Sequence, residues 1–207
     1  MSEEYQGVRF TTVFLGNELP RHPSLPELRH WCRVFHDQGF APPYPGGSSG
    51  NLSFRAGNSF IITGTAIGLK DNLTDDAFVE VVSCHLATGR IEARGCRQPS
   101  SEAMLHALLY RHFPAVGAVF HGHHEIITRK AEAFGIPTSP TLLPYGSQEL
   151  AEAALRLAGQ SEFFVLRGHG FVATGADMVS CGVLCLRWLE KITALRPPPG
   201  QPSLMTA

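Results

Sequence analysis

The chain has 207 residues, 43% of them hydrophobic and 17% charged, with a formal charge of −1 from 17 basic and 18 acidic side chains. That size and balance fit one globular domain with a sizeable core and exclude a disordered chain. No basic stripe points to nucleic acid, and no run of about 18 apolar residues offers a membrane span. The opening MSEEYQGVRF lacks the basic and apolar regions of a signal peptide. Five cysteines without a CxxC pair suit a reducing, cytoplasmic setting.

Residues 1–22 show no clear period. Leu25, Leu28, Trp31, Cys32 and Phe35 then predict a helix capped by Ser24 and ended by Gly39. PPYPGGSSG (42–50) is a loop inside the domain, followed by a hairpin, NLSFR and SFIIT, around 56–58. After the loop GTAIGLKDNLTDD, a second hairpin pairs AFVEVVSCHL with RIEARG around 87–89. From Ser100 the pattern is helical, with Met104, Leu105, Leu108 and Leu109 as an apolar stripe that ends near Pro114. VGAVFHGH reads as a strand leaving the core, then a helix runs from about His124 to Phe134. After the loop GIPTSPTLLPYG, Ser147 begins another helix. EFFVLRGHG and FVATG are strands around a turn, and a final helix buries Cys181, Leu184, Cys185, Trp188, Leu189 and Ile192, its two cysteines as core thiols. The whole, 1–207, reads as one domain with its core at about 24–195 and a mobile tail at 196–207. Helices alternating with hairpins predict a mixed sheet covered by helices.

Three of the ten histidines fall within AVFHGHHEII (118–127). Residues two apart on a strand share a face, so His121 and His123 project together. A metal could take a nitrogen from each, and His169, in a tight turn between Gly168 and Gly170, is a third candidate; catalytic zinc commonly has three protein ligands and an open position. Equally, the three could be separate loop residues bonded to solvent or backbone. QPSSEAMLH (98–106) has two readings as well. Ser100 can serve as an N-cap with Glu102 in the first turn. Alternatively, Ser100, Ser101 and free backbone N–H groups can form an anion site beside Glu102. His106, four residues on, shares the Glu102 face and could hydrogen-bond it. SSGNLS and ITGTAIG are small-residue loops that could present Asn51, Thr63 and Thr65 to a phosphate, or could be simple turns.

Taken in order, SGNLSFR, ITGT, PSSEAMLHALLY, VFHGH and LRGHG resemble the class II aldolase/adducin family over about residues 25 to 190. The resemblance implies an α/β fold, a three-layer α/β/α sandwich whose central sheet is mixed and mostly antiparallel. It implies fourfold homotetramers with active sites at subunit boundaries. In family members similar to fuculose-1-phosphate aldolase, zinc is held at the positions of His121, His123 and His169, where another divalent transition metal is also acceptable. The resemblance makes Glu102 the acid/base group and Asn51, Thr63, Gly64, Thr65, Ser100 and Ser101 the phosphate-binding positions. The implied activity is a zinc-dependent lyase that cleaves or forms a C–C bond in a small phosphorylated sugar or hydroxy-ketone through a metal-stabilised enediolate. The alternatives are a pentulose-phosphate epimerase, a sugar-phosphate dehydratase, and a non-catalytic adducin-like binding module. No Schiff base is implied, and Lys70, Lys130 and Lys191 read as surface residues.

The sequence also departs from the family pattern. TGTAIG stands where TPSG is common, and the loop from Gly135 to Gly146 is short. Tyr145 is the nearest candidate for the family's loop tyrosine, a proton donor; its alternative reading is an ordinary loop residue. No tyrosine lies in the C-terminal tail, and His124-Glu125 stand where the epimerases carry an acidic residue.

Overall fold

A computed structural model describes residues 7–194; the tail expected to be mobile, 196–207, lies outside them. In chain order the elements are β1 (Thr11–Gly16), α1 (Leu25–Asp37), β2 (Pro43–Tyr44), β3 (Gly47–Ser48), β4 (Asn51–Ala56), β5 (Ser59–Thr63), β6 (Phe78–His85), β7 (Arg90–Arg94), α2 (Ala103–His112), β8 (Ala118–Gly122), α3 (Glu125–Lys130), α4 (Gln148–Ala158), β9 (Phe163–Leu166), β10 (Gly170–Gly175) and α5 (Met178–Ala194). Eight strands form one sheet in the order β1-β7-β6-β5-β4-β8-β10-β9. All its pairings are antiparallel except β1 with β7. β2 and β3 make a separate two-stranded ribbon inside the loop before β4.

Alternation along the strands divides the core between the two faces of the sheet. Phe54, Phe120, Phe171 and Ala173 point to one face and pack with Trp31, Phe35, Cys181 and Cys185 from α1 and α5. Ile62, Val79, Val119 and Val172 point to the other and pack with Leu105, Leu109, Leu150 and Leu157 from α2 and α4. The result is the expected three-layer α/β/α sandwich. Gly182 on α5 lies where a Cβ would come within 2.2 Å of the Trp31 ring, so α1 and α5 meet closely at that point.

The predicted helix starts are realised unequally. Ser147 caps α4 with a side-chain bond from the Leu150 N–H (3.1 Å). Ser24 occupies the N-cap of α1 without such a bond. α2 begins at Ala103, not Ser100: the Ser100 N–H is tied to the Thr63 carbonyl (3.1 Å), and Glu102 becomes the cap residue. The helix expected from 124 to 134 is a short α3 followed by a 3-10 turn, Glu132–Phe134. β1 falls where no period was visible, because this edge strand leaves Phe14 and Leu15 exposed.

Lys70 is not a surface residue. Its ammonium is buried and donates to the Ser48 carbonyl (3.1 Å), Ser48 Oγ (3.0 Å) and the Ser49 carbonyl (3.0 Å). Burial lowers its pKa to about 8. The contact clasps the loop before β4 to the loop after β5.

Phe35 is fully buried, with its ring centroid 5.1 Å from Phe40, 5.5 Å from Phe120 and 6.1 Å from Phe171. Truncation to alanine leaves a cavity between α1 and the sheet. Phe35→Ala should cost about 3–5 kcal/mol in a denaturant melt.

Candidate active site

The central strands set the site. β8 places His121 on the α2 face, paired across the sheet with Asn51 of β4 and Val172 of β10. His123 follows on the same side and is fixed by its N–H to the Phe40 carbonyl (2.8 Å). His169 sits in the β9–β10 turn, where Gly168 takes φ +67°. Two glycines are obligatory. A Cβ at Gly122 would lie 2.5 Å from the Phe171 ring, and one at Gly170 would lie 2.5 Å from the Gly122 carbonyl and 2.7 Å from His121 Cε1.

The three imidazoles converge. His121 and His169 stack with centroids 5.0 Å apart, and His123 stands edge-on to both at 4.7 and 4.9 Å. One ligand nitrogen from each lies within 4.8 Å of the others. Glu102 closes the group: Oε1 is 2.6 Å from His169 Nε2, and Oε2 is 3.1 Å from His121 Nε2.

The hydrogen bonds decide which nitrogens are bare. His121 Nδ1 lies 2.8 Å from the Phe171 carbonyl, which can only accept, so the proton of the neutral ring is on Nδ1. Its Nε2 lone pair then faces both Glu102 Oε2 and His123 Nε2, the latter at 2.9 Å. Burial pushes His121 down to about 4 against the pull of the Glu102 charge, and burial likewise holds His123 well below the usual range. Burial opposes ionisation of Glu102, but the surrounding imidazoles outweigh it and keep the carboxyl well below its usual value. The bare Nε2 of His121, one nitrogen each of His123 and His169 and the Glu102 carboxylate thus crowd one point. A proton satisfies one pair of them; a divalent cation satisfies all. The donor set therefore fits a metal ion, with a carbonyl holding His121 in its ligating tautomer.

The candidate phosphate residues are also brought together. Thr65 N–H donates to the Gln98 carbonyl (3.0 Å), Ser100 N–H to the Thr63 carbonyl (3.1 Å), and Gly64 bridges Pro99. Thr63 Oγ1 accepts from the Leu52 N–H (3.3 Å), and Ser100 Oγ from the Glu102 N–H (3.4 Å). Ser101 follows in the same turn, backed by Gly146, where a Cβ would sit 2.8 Å from the Ser101 carbonyl. Asn51 is different, since its Nδ2 donates to Glu102 Oε2 (2.7 Å). Tyr145 is buried beneath the Arg9 guanidinium, 4.6 Å above the ring centroid.

The His106 ring does not bond the Glu102 carboxylate directly; it reaches Asn51 Oδ1 at 2.6 Å. Sequence reasoning also missed Ser53 and Tyr110, which join the same buried network. The signal was present in the spacing. Asn51, Ser53 and Arg55 are polar at every second position of β4, and Glu102, His106 and Tyr110 are polar at every fourth position of α2. A cavity of about 440 Å³ adjoins the histidines, bounded by Gly39, Pro42, His124 and Thr128, and is large enough for a small substrate.

The family profile of the class II aldolase and adducin N-terminal domain matches residues 26–188. An L-fuculose phosphate aldolase of Methanococcus maripaludis is 27% identical over 169 residues, 75% of this chain and 86% of that protein. A methylthioribulose-1-phosphate dehydratase of an Enterobacter species is 29% identical over 182 residues, 75% of this chain and 85% of that protein. A solved L-fuculose 1-phosphate aldolase superposes with TM-score 0.69 over 89% of this chain and 93% of its own, at 18% identity, a likeness in fold.

Two outcomes are expected. First, if the histidine cluster holds a divalent metal, the amount retained per chain after loading should fall to near zero in His123→Ala, and any thermal upshift on adding that metal should vanish with it. Second, the unfolded chain takes up protons as pH falls through 6.5, whereas folded His121 resists to about 4 and folded His106 to about 3. Stability is then fullest above pH 6.5 and declines as pH drops toward 4. Urea melts of metal-free protein at pH 7 and pH 5 check this; equal midpoints would mean the imidazoles are not held neutral.

Proposed function

The chain belongs to the class II aldolase and adducin family, and on that premise we propose that it is a divalent-metal-dependent lyase acting on a small sugar phosphate or hydroxy-ketone. The observation that carries this reading is the buried carboxylate of Glu102 set against the cluster of His121, His123 and His169. When bound there, a divalent cation supplies Lewis-acid stabilisation of negative charge on substrate oxygens. Zinc is the metal we propose, from the all-imidazole ligand set.

Each protein group then has a task. Glu102, ionised and within hydrogen-bond reach of the imidazoles, takes a proton from the substrate hydroxyl as the C–C bond breaks, and returns one to the carbon left behind. Thr63, Gly64, Thr65, Ser100 and Ser101 are the proposed phosphate positions; the N–H groups of Gly64, Thr65 and Ser100 are tied to the carbonyls of Ala77, Gln98 and Thr63, so the hydroxyls carry the contact and fix the distance from phosphate to reacting carbon. Asn51 stands between the two groups. In the bond-forming direction Tyr145 is the proposed proton donor to the aldehyde oxygen, relaying the proton that Glu102 removes from the nucleophilic carbon.

A second reading keeps the same site and changes the bond broken. Relatives named methylthioribulose-1-phosphate dehydratase match as well as those named aldolase. Elimination of water also needs a carboxylate that abstracts a proton beside a polarised carbonyl. Retention of all three histidines and Glu102 argues against a purely structural, adducin-like role. The five free cysteines suit a cytoplasmic setting, and the family's fourfold assembly is the oligomer we propose.

A panel of ketose phosphates on zinc-loaded protein separates these readings. Release of dihydroxyacetone phosphate or another short ketose fragment identifies the lyase, loss of water without fragmentation identifies the dehydratase, and inertness toward every member refutes both. Glu102→Gln should retain the metal yet lose about 10²–10⁴-fold in kcat; full turnover in that variant would remove Glu102 from the chemistry.

A further inference from the structure

We propose that His106 is a positioning residue, which fixes Glu102 for proton transfer through a one-way chain of hydrogen bonds running Tyr110, Ser53, His106, Asn51, Glu102. This rests on the reading of Glu102 as the proton-transfer group, and it gives Asn51 a role other than phosphate binding.

The direction of the chain follows from donor counting. Glu102 Oε2 accepts, so the 2.7 Å contact from Asn51 uses the amide NH₂, and Asn51 Oδ1 is turned the other way. Oδ1 has no proton to give, so His106 Nε2, 2.6 Å away, is the N–H donor. The ring is fully buried, and burial lowers its pKa to about 3, so it is neutral and Nδ1 is bare. Ser53 Oγ, 2.7 Å from Nδ1, must donate to it. The serine has one proton and cannot also give it to the Val119 carbonyl at 3.4 Å. Tyr110 OH, 2.8 Å from Ser53 Oγ, is therefore the donor that starts the series. Every member is buried, so water cannot substitute for a missing partner.

Each orientation is thus forced by the previous one. Without the His106 N–H, Asn51 Oδ1 is left buried without its donor, and the amide can shift toward another donor and loosen its hold on the carboxylate. The chain also leaves Glu102 Oε1 free of Asn51 and aimed at His169, on the side of the histidine cluster. Glu102, His106 and Tyr110 recur every fourth residue along one side of α2, and Asn51 and Ser53 alternate along β4 opposite them. The spacing of both elements is therefore used in full by this one network.

Three measurements test the proposal. His106→Leu removes both ring nitrogens, whereas His106→Gln keeps an N–H near the position of Nε2. His106→Leu should lower kcat about 10²-fold with KM held within about threefold, and His106→Gln should recover most of the loss. Unchanged kcat in His106→Leu, or a rise in KM with kcat held, overturns the proposal; the latter would assign Asn51 to phosphate binding. A long-range ¹H–¹⁵N spectrum of the wild-type protein reads the tautomer directly and needs neither a variant nor a substrate. A single Nε2–H form between pH 5 and pH 8 is expected, and an Nδ1–H form overturns the chain even if His106→Leu fails to fold. Wild-type protein inert on every substrate would refute the proposed function, while the tautomer still decides the hydrogen-bond order.

Discussion

A carboxylate held out of water by the imidazoles of two other chain segments is the contact on which this molecule is arranged. Glu102 is almost fully buried and has two histidine nitrogens within 3.1 Å. An isolated carboxylate in such a position would cost many kcal/mol or take up a proton. It stays ionised because β8, the β9–β10 turn and β4 deliver His121, His169 and Asn51 to it. The sheet order makes that possible, because β4, β8 and β10 are adjacent and their ends meet the N-terminus of α2.

The rest of the α2–β4 contact follows the same rule. Asn51 and Ser53 occupy core positions that apolar side chains would otherwise take, and each is bonded to a partner from α2. Arg55 continues the pattern toward the surface, donating to the carbonyls of Val116 (2.9 Å), Tyr110 (2.8 Å) and Phe113 (3.2 Å) while its guanidinium lies 4.9 Å from the Tyr110 ring centroid. A buried polar group left unpaired costs about 1–3 kcal/mol, so a fully paired series excludes other helix registers more strongly than it adds stability.

Much of the architecture was legible in the sequence because it rests on short-range chemistry. The hairpins around 56–58 and 87–89 were marked by Gly57 and Gly89, which adopt φ +64° and φ +59°. α1 was marked by apolar spacing that became real burial, whereas on α5 Cys181, Cys185 and Ile192 are buried and Leu184, Trp188 and Leu189 are only half-buried. β1 was not legible: among the described residues its one sheet neighbour is β7, and with both Phe14 and Leu15 exposed neither of its faces is buried enough to impose an alternation. The histidines could be identified as candidates from HxH on a strand end, yet their meeting with His169 is a property of strand order, which no local pattern encodes. Lys70 was misread because a charged residue in a polar loop looks exposed; three oxygens from a loop some twenty residues away gave it a buried place. The start of α2 was read two residues early, since a serine followed by a carboxylate imitates a cap whether or not its backbone is already tied to Thr63.

The seam between β4 and α2 also bears on how such chains can be recombined. Its donors and acceptors alternate between two segments some fifty residues apart, so neither segment has meaning for the other's position when inherited alone. A hybrid gene with its crossover between Arg55 and Glu102 would join one parent's donors to the other parent's acceptors. Parents that differ at any link would then yield offspring with a mismatched interior despite two individually sound halves. Breakpoints before Asn51 or after Val116 keep the pairings with a single parent, and swaps of whole modules are tolerated there first.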